Sequence, residues 1–287
     1  LENPVNMAPK SVDPKDLLVG GALQCAEAAT LGLPFEVWKT HMGTYRKDST
    51  MTAFRHIYQK GGVGAFWTGW QPKMVESFLK GGILLFSKDA VIRSMTKAGA
   101  SDVTAGLVGG FAGGCSQVII MGPCTFLVTA AVTGDKSVSV FKRMGDTFKS
   151  RGIGGFYQGG TALLLRQGSN WASRQGLTDL VREFMKSRHV KSGESTADVK
   201  LSVTEEAVSG IIGGGLSTWN QPFEVLRIEA QAAAAKGLPS RNIVETAKYI
   251  VKEAGVLGLF QGIAPRMGLC IWQTLFMVTV PKLISGV

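Results

Sequence analysis

The sequence predicts an all-α membrane protein with six transmembrane helices, built from three repeats that each contain a short amphipathic helix. Three observations predict this fold: an uncharged apolar stretch at residues 103–131, glycines four residues apart within apolar stretches, and a pattern that recurs after 89 and 99 residues. Hydrophobic residues make up 45% of the 287 positions and charged residues 18%, which excludes a disordered chain. We expect a single domain over residues 1–287.

Glycine is concentrated in the most apolar stretches, although it costs about 1 kcal/mol relative to Ala inside a helix. Gly106, Gly110 and Gly114 are four residues apart, and Gly210 and Gly214 repeat this spacing. Small residues four apart allow helices to approach closely in lipid. A soluble nucleotide-binding fold is the alternative for a glycine-rich chain. Because the sequence has no βαβ pattern and no phosphate-binding loop, the glycines favour packed membrane helices.

The other candidate spans carry isolated charges. These are Glu27 in 17–42, Glu76 and Lys80 in 72–93, and Arg166 and Arg174 in 162–184. Helices that face only lipid do not tolerate such charges, whereas helices around a water-filled path do. The sequence therefore predicts tilted helices around a polar cavity. Residues 1–16 are polar and contain proline, so we expect no secretory signal there.

Two short patterns define the repeat. Apolar stretches end in PFEVWK, PCTFLV and PFEVLR, which begin at Pro34, Pro123 and Pro222. The segments GVGAFWTG, GIGGFYQG and GVLGLFQG follow, each with two glycines seven residues apart, and end at Gly69, Gly159 and Gly262. Each unit is expected to hold a long Pro-containing helix, an amphipathic basic segment, a glycine–aromatic turn and a second helix. The predicted repeats are residues 14–97, 101–188 and 203–287.

These patterns resemble the mitochondrial carrier family over nearly the whole chain. The family motif P-x-(D/E)-x-x-(K/R), which ends each odd-numbered helix, is complete at Pro34 and Pro222 and degenerate at Pro123. The resemblance implies pseudo-threefold symmetry, short matrix-side amphipathic helices and a central cavity that opens alternately to either side. It also implies a multi-pass protein of the mitochondrial inner membrane with both termini toward the intermembrane space. We expect it to act as a monomer without a cofactor.

The charged motif residues predict a matrix-side gate. Because proline removes an N–H and kinks a helix, the kinked ends of the three odd-numbered helices can converge below the cavity. The gate residues are Glu36, Lys39, Glu224 and Arg227.

In the family, each base of this gate pairs with the acid of the next odd-numbered helix. Here Thr125 and Val128 replace the second acid and base. Following the family order, we expect Arg227–Glu36 as the only remaining ion pair, with Lys39 facing Thr125 and Glu224 facing Val128. The sequence thus predicts a weakened gate.

The even-numbered helices carry the substrate contacts in this family. Positions counted from the repeat glycines give the candidates Glu76, Lys80, Leu84, Arg166, Gln167, Arg174 and Arg266. Four bases against one acid favour an anion, and arginine binds carboxylates bidentately. Three alternatives stay open: Glu76 and Lys80 neutralise each other as an i,i+4 pair, Arg174 is structural, or Arg266 is solvated near a helix start.

Several stretches are most similar to a branch of the family that exchanges citrate for 2-oxoglutarate. They are TLGLPFEVWKT (30–40), LRQGSNWASRQGL (165–177), GGGLSTWNQPFEVLRIEAQ (213–231) and PRMGLCIWQTLFMV (265–278). The resemblance implies antiport of these two anions, with another di- or tricarboxylate pair as the alternative.

The glycine turns also suggest a lipid contact. Family members often carry a base before the turn glycine, associated with cardiolipin headgroups, whereas this chain has Thr68, Gln158 and Gln261. Backbone amides at Gly69, Gly159 and Gly262 could still hold a lipid phosphate at a helix start.

Other function classes have less support in the sequence. The net charge of +10 also suits nucleic acid, so mitochondrial DNA association, in addition to transport, is a second reading. No nucleophile–base–acid set and no phosphate loop is visible, so we expect no enzyme. The four Cys and three His residues show no metal-binding spacing, which predicts no metal site.

Overall fold

The computed structural model describes residues 14–100, 102–134, 138–189 and 201–285, and the regular structure in these ranges is entirely helical. This agrees with the predicted all-α class. The chain ends, which were predicted to face the intermembrane space, lie largely outside these ranges.

Each third of the chain contains a broken pair of helices, a short helix, a 3-10 turn and a long helix. The first third has α1 (Pro14–Glu27), α2 (Leu33–Thr44), α3 (Thr50–Gln59) and α4 (Trp70–Lys97). The second has α5 (Asp102–Ser116), α6 (Val118–Thr133), α7 (Val140–Arg151) and α8 (Gly160–Ser187). The third has α9 (Val203–Leu216), α10 (Gln221–Ala235), α11 (Ile243–Ala254) and α12 (Ile263–Ser285).

The paired helices are broken just before Pro34 and Pro222, whereas Pro123 lies inside α6, after the break at Gln117. A proline ring clashes with the carbonyl four residues earlier. That residue is Thr30 for Pro34, where the backbone leaves the helical region at ψ −106°, and Thr218 for Pro222, which lies in a 3-10 turn (Ser217–Asn220). Before Pro123 the chain bends by 44° between α5 and α6. Breaks therefore lie at the residues expected for Pro34 and Pro222, whereas the bend in the second repeat lies at Gln117, before the start of the helix that contains Pro123.

The helices close into a ring. In chain order α1, α4, α5, α8, α9 and α12 each pack against the next, and α12 packs back against α1. At one end of the ring α2, α6 and α10 pack against one another. This convergence, called the neck below, leaves a polar interior that opens away from it.

The paired glycines adopt the turn that their spacing predicts. Both members of each pair have positive φ, between 61° and 79°, a backbone region that glycine enters without strain. The second glycine of each pair also allows close contact with the Pro-containing helix of the next repeat, which is α6, α10 or α2. A Cβ at Gly69 would lie 3.2 Å from the Cα of Val128, at Gly159 3.1 Å from the Arg227 carbonyl oxygen, and at Gly262 3.1 Å from that of Lys39.

The glycine stripes pack only in part as predicted. A Cβ at Gly114 would lie 2.8 Å from the carbonyl oxygen of Gln167 on α8, so this stripe residue does allow close packing. Gly106 has open space beside it, so it does not. Instead Gly109 and Gly113 approach the α4 backbone at Lys88 and Leu84. The glycine-rich α5 thus uses two faces, because it lies between two helices.

The long helices differ in how well they suit a membrane. Within the described ranges, one helical segment, Leu17–Thr44, which runs from α1 through the break into α2, is long and apolar enough to span the membrane. The count rises to three if the bent pairs Thr104–Ser116 with Val118–Thr133, and Ile243–Ala254 with Val256–Met277, each count as one span. Helices α4 and α8 have 28 residues each but carry several charged residues.

Candidate functional site

A polar cavity of about 140 Å³ lies inside the ring above the neck, lined from α2, α4, α6, α8, α10 and α12. Six of the seven predicted substrate residues line it. They are Glu76, Lys80, Arg166, Gln167, Arg174 and Arg266. Leu84 lines an adjoining cavity of about 400 Å³, which shares Lys80 and Arg174 with the first. The structure therefore brings the predicted residues together around one connected space.

The cavity is layered by distance from the repeat glycine. Four residues after it are Lys73, Leu163 and Arg266; seven after it are Glu76, Arg166 and Leu269; eleven after it are Lys80, Asn170 and Gln273. All of these except the fully buried Leu163 line the cavity. Because these steps follow the helical period, one face of each long helix, α4, α8 and α12, points inward.

Cations outnumber carboxylates in the lining. It contains Lys39, Lys73, Lys80, Arg166, Arg174, Arg227 and Arg266, against Glu36 and Glu76. Four of these cations make ion pairs, whereas Lys80, Arg174 and Arg266 make none with the described residues. Such an interior favours a polyanionic solute, since three positive charges have no counterion in the part of the chain that the structure describes.

Glu76 and Lys80 do not form the i,i+4 ion pair that the sequence left open as an alternative. The Glu76 carboxylate lies 3.1 Å from the Lys73 ammonium, which is one turn closer to the neck. Lys73 also approaches Glu36 at 3.9 Å. Lys80 is left facing the cavity, where its own backbone carbonyl accepts a hydrogen bond from Gln117 Nε2 at 2.9 Å.

Arg266 is buried rather than solvated. Its guanidinium donates to Gln221 Oε1 at 2.9 Å and to the side-chain oxygen of Asn220. Only 7% of the residue is exposed, and its partners are neutral amides. These amides fix the orientation of the guanidinium without cancelling its charge. The reading of Arg266 as a solvated residue is therefore wrong.

Among the described residues, Arg174 makes one hydrogen bond, of 3.3 Å from Nη2 to Thr274 Oγ1. No carboxylate in the described part of the chain pairs with it.

Gln167 donates to Gln117 Oε1 at 2.8 Å, and Trp171 donates to the same oxygen. Gln117 thus links α4, α6 and α8 at the cavity wall.

The neck is more strongly paired than the sequence predicted. Lys39 does not face a neutral residue alone, since its ammonium lies 2.6 Å from Glu224 and 2.9 Å from Glu36. Arg227 lies 2.9 Å from Glu224 and 3.9 Å from Glu36. Arg166 is also 3.0 Å from Glu224. The expectation that Arg227–Glu36 is the only ion pair is wrong, because Glu224 turns toward all three cations.

Polar neutral groups fill the second repeat's place at the neck. Gln231 Nε2 donates to Thr125 Oγ1 at 3.0 Å, and Gln231 Oε1 accepts from Thr129 Oγ1 at 3.0 Å and from Arg227 Nη1 at 2.5 Å. Val128 packs in an apolar cluster with Leu33 and other residues. The missing acid and base are thus replaced by a hydrogen-bonded link and by apolar packing.

Two important residues were missed from the sequence, and one had a detectable signal. Lys73 lies four residues after Gly69, as Arg266 does after Gly262, so the same count would have found it. Gln231 lies outside the charged motif, and its contacts depend on the threonines that replaced the charges. No pattern within one repeat would indicate it.

A second ion-pair cluster joins the first and third thirds of the chain beyond the neck. Arg46 Nη1 lies 2.8 Å from Glu229, and Arg46 also hydrogen-bonds Glu253; Arg241 lies 3.8 Å from Glu229. The hydrogen bond from Arg46 holds the pKa of Glu253 below its usual range. Arg46 and Arg241 contribute to the net charge of +10 on which the nucleic-acid reading rests, and both make ion pairs within the chain.

A surface cavity of about 460 Å³ adjoins the first glycine turn. Gly69, the α7 N-cap Ser139, Lys60 and Arg143 line it. Helix starts and basic side chains face the same space, a chemistry that suits an anionic headgroup, and the cardiolipin contact at this turn stays a prediction.

A closed ring of helices around a cation-lined cavity, with Pro-containing helices converging at one end, defines the class of a membrane carrier. The family model described as mitochondrial carrier protein matches three consecutive segments, residues 11–99, 100–189 and 199–284. The chain belongs to the mitochondrial carrier family. Its members are transporters rather than enzymes, and membership places the protein in the mitochondrial inner membrane.

Several relatives of this chain are named for the transport of citrate, oxoglutarate or tricarboxylates. The citrate/oxoglutarate carrier protein of Saccharomyces cerevisiae is 36% identical over 94% of this chain and 88% of its own. Mitochondrial citrate transporter B of Aspergillus niger is 25% identical over 88% of this chain and 86% of its own. The tricarboxylate transport protein of S. cerevisiae is 23% identical over 90% of both chains.

Proposed function

We propose that the protein exchanges citrate for 2-oxoglutarate across the mitochondrial inner membrane by alternating access through six membrane-crossing helices. The observation that carries the proposal is a group of cavity cations, Lys80, Arg174 and Arg266, that have no carboxylate partner among the described residues. The relatives named for citrate and oxoglutarate support the choice of anion. The alternative is another di- or tricarboxylate pair.

In this proposal the carboxylates of the substrate replace missing protein counterions. Lys80 and Arg174 lie toward the open side of the cavity, since both also line the adjoining 400 Å³ space. Arg166 and Arg266 lie closer to the neck. A tricarboxylate has enough negative groups to bridge both levels, because each guanidinium can bind one carboxylate bidentately.

Arg166 connects the substrate site to the neck. It lines the cavity and lies 3.0 Å from Glu224. A substrate carboxylate that binds Arg166 competes with Glu224 for the same guanidinium and so weakens the closed neck. Substrate thus favours opening only through this difference in affinity between closed and open states. An empty carrier keeps its cations unneutralised, which favours obligatory exchange.

Exchange in liposomes tests the assignment. Purified protein in citrate-loaded vesicles is expected to take up labelled 2-oxoglutarate, and both Arg166→Ala and Lys80→Gln are expected to abolish uptake. Arg93→Ala is the matched control, because Arg93 is half exposed and pairs with Asp89 outside the cavity. Thermal melting checks that each variant folds.

Retained citrate exchange by Arg166→Ala would contradict the substrate site. A competition panel of unlabelled citrate, malate, oxodicarboxylates and isocitrate distinguishes the preferred pair from the alternative. Inhibition by citrate and 2-oxoglutarate ahead of the others supports the proposal, whereas preference for a different pair assigns the exchange to that pair.

A further inference from the structure

A cluster of metal-ligating side chains lies beyond the neck, outside the cavity. His41 lies in the last turn of α2, Asp48 lies in the loop that follows, and His56 is on α3. Asp48 Oδ2 lies 3.0 Å from His41 Nε2 and 2.9 Å from His56 Nδ1, and the three ligand atoms lie within 4.8 Å of one another. We propose that these residues bind a divalent transition-metal ion, with Zn²⁺ as the representative ion.

The donor set and its geometry suit this ion. Two imidazoles and one carboxylate are ligands that zinc prefers, at about 2.0–2.2 Å each. Tetrahedral ligands at that length are about 3.3 Å apart, so each Asp48–His pair must separate by a few tenths of an ångström. The two imidazole nitrogens, which lie within 4.8 Å of each other, must reach the same spacing. His56 and Asp48 can make this movement, because His56 is half exposed and Asp48 lies in a loop. His41 is fixed, with only 2% exposed.

The other repeats show that the chemistry of this cluster is particular to the first. His41 lies seven residues after Pro34, Asp48 directly before the α3 N-cap, and His56 six residues before Gly62. The same positions hold Ala130, Val138 and Asp146 in the second repeat, and Glu229, Arg241 and Tyr249 in the third.

The third-repeat set also forms a cluster, but a different one. Arg241 lies 3.8 Å from Glu229 and 4.1 Å from the centre of the Tyr249 ring. In the first and third repeats, these three positions therefore link the Pro-containing helix (α2 or α10) to the amphipathic helix that follows it (α3 or α11). In the first repeat alone, this link is built from three groups that are also metal ligands.

The surroundings predict moderate affinity. His41 Nδ1 is buried and has no hydrogen-bond partner in the described part of the chain, whereas metal-binding histidines usually donate their second N–H. Lys47 adjoins the loop in sequence, and Lys60 lies 5.0 Å from the centre of the Tyr45 ring, which packs on His41. Since lost outer contacts weaken metal sites by about 10–100-fold, we expect micromolar binding.

Calorimetric titration of ZnCl₂ into tag-free, chelator-treated protein in detergent tests the site. The wild type is expected to bind one Zn²⁺ per chain with micromolar affinity. Asp48→Asn and His56→Gln are each expected to weaken binding at least tenfold. His189→Gln is the matched control, because His189 also pairs with a carboxylate, Glu205, but has no second histidine beside it.

Exchange activity measured with chelator present shows that the variants fold, since none of the three altered residues lines the cavity. Absence of saturable one-to-one binding in the wild type would overturn the proposal. Binding that is equally strong in Asp48→Asn and His56→Gln would overturn it too, since the ion would then lie elsewhere. These results are independent of which anion the carrier exchanges.

Discussion

The second repeat contributes to the neck by different means from the first and third. The first and third place Glu36, Lys39, Glu224 and Arg227 in one buried ion-pair network. The second provides Thr125 and Thr129, both joined to Gln231, while Val128 packs among apolar side chains. Loss of one charge pair therefore does not leave an open gap, because the neighbours reorganise around neutral partners.

Because the second repeat has no acid at the neck, one carboxylate, that of Glu224, makes most of the close ion pairs there. Glu224 is fully buried and lies within 3.0 Å of Lys39, Arg166 and Arg227. Glu36 is closer than 3.5 Å to Lys39 alone. In a symmetric ring three carboxylates would share this task. Here the closed neck depends mainly on one, and that same carboxylate holds a cavity arginine.

The largest expected effect follows from removing Glu224. Glu224→Gln leaves three buried cations with little compensation, and breaking a buried pair in this way costs about 3–5 kcal/mol. We expect a marked fall in melting temperature and exchange reduced at least a hundredfold, because the neck can no longer close. Thermal melting and liposome exchange measure these effects.

Glu36→Gln is the matched control at the neck. Its closest cation, Lys39, retains Glu224 at 2.6 Å, so the fall in melting temperature and in exchange is expected to be clearly smaller. Equal effects of the two variants would show that Glu36 and Glu224 stabilise the closed neck equally, which would contradict the distances in the structure.

A smaller effect is expected when the second repeat is given back its charges. In Thr125→Asp with Val128→Lys, the new acid can pair with Lys39 and the new base with Glu224. An added ion pair stabilises the closed neck, and about 1.4 kcal/mol of stabilisation slows opening tenfold. We expect roughly tenfold slower exchange in liposomes. Thr125→Asn with Val128→Met changes the same positions without charge and controls for packing.

Unchanged or faster exchange by the charged double variant, at wild-type stability, would contradict this reading of the neck. It would show that opening is not limited by the contacts that α6 makes with its neighbours.

Much of the fold could be predicted because it depends on local and periodic signals. Pro34 and Pro222 locate two of the breaks, since each clashes with a carbonyl four residues earlier, at Thr30 and Thr218. The paired glycines locate the turns, since Gly69 and its equivalents need positive φ. The packing faces of α5 were less predictable: Gly109 and Gly113 matter as much as Gly114, because that helix has two neighbours.

The cavity residues were predictable by the same periodicity, but their pairing was not. Counting from the glycines located Arg166 and Arg266, whereas the choice of Glu224 by Lys39 depends on three helices meeting in space. The family order assigns partners by symmetry, and the substitution at Thr125 breaks that symmetry. Which neighbour then takes the unpaired charge is decided by side-chain packing that sequence spacing does not contain.

The smallest effect is expected from Gln231, which joins the neutral second repeat to the charged network. Gln231→Leu removes its bonds to Thr125, Thr129 and Arg227, and each such bond contributes about 0.5–1.5 kcal/mol net. Because these bonds exist in the closed neck, we expect exchange to accelerate about three- to tenfold and the melting temperature to fall by a few degrees. Gln158→Leu is the matched control, because Gln158 is a half-buried turn residue whose amide donates to the Gly154 carbonyl rather than to a neck residue. Slower exchange by Gln231→Leu would mean that this amide assists opening rather than closure, and the second repeat would then be an active part of the gate.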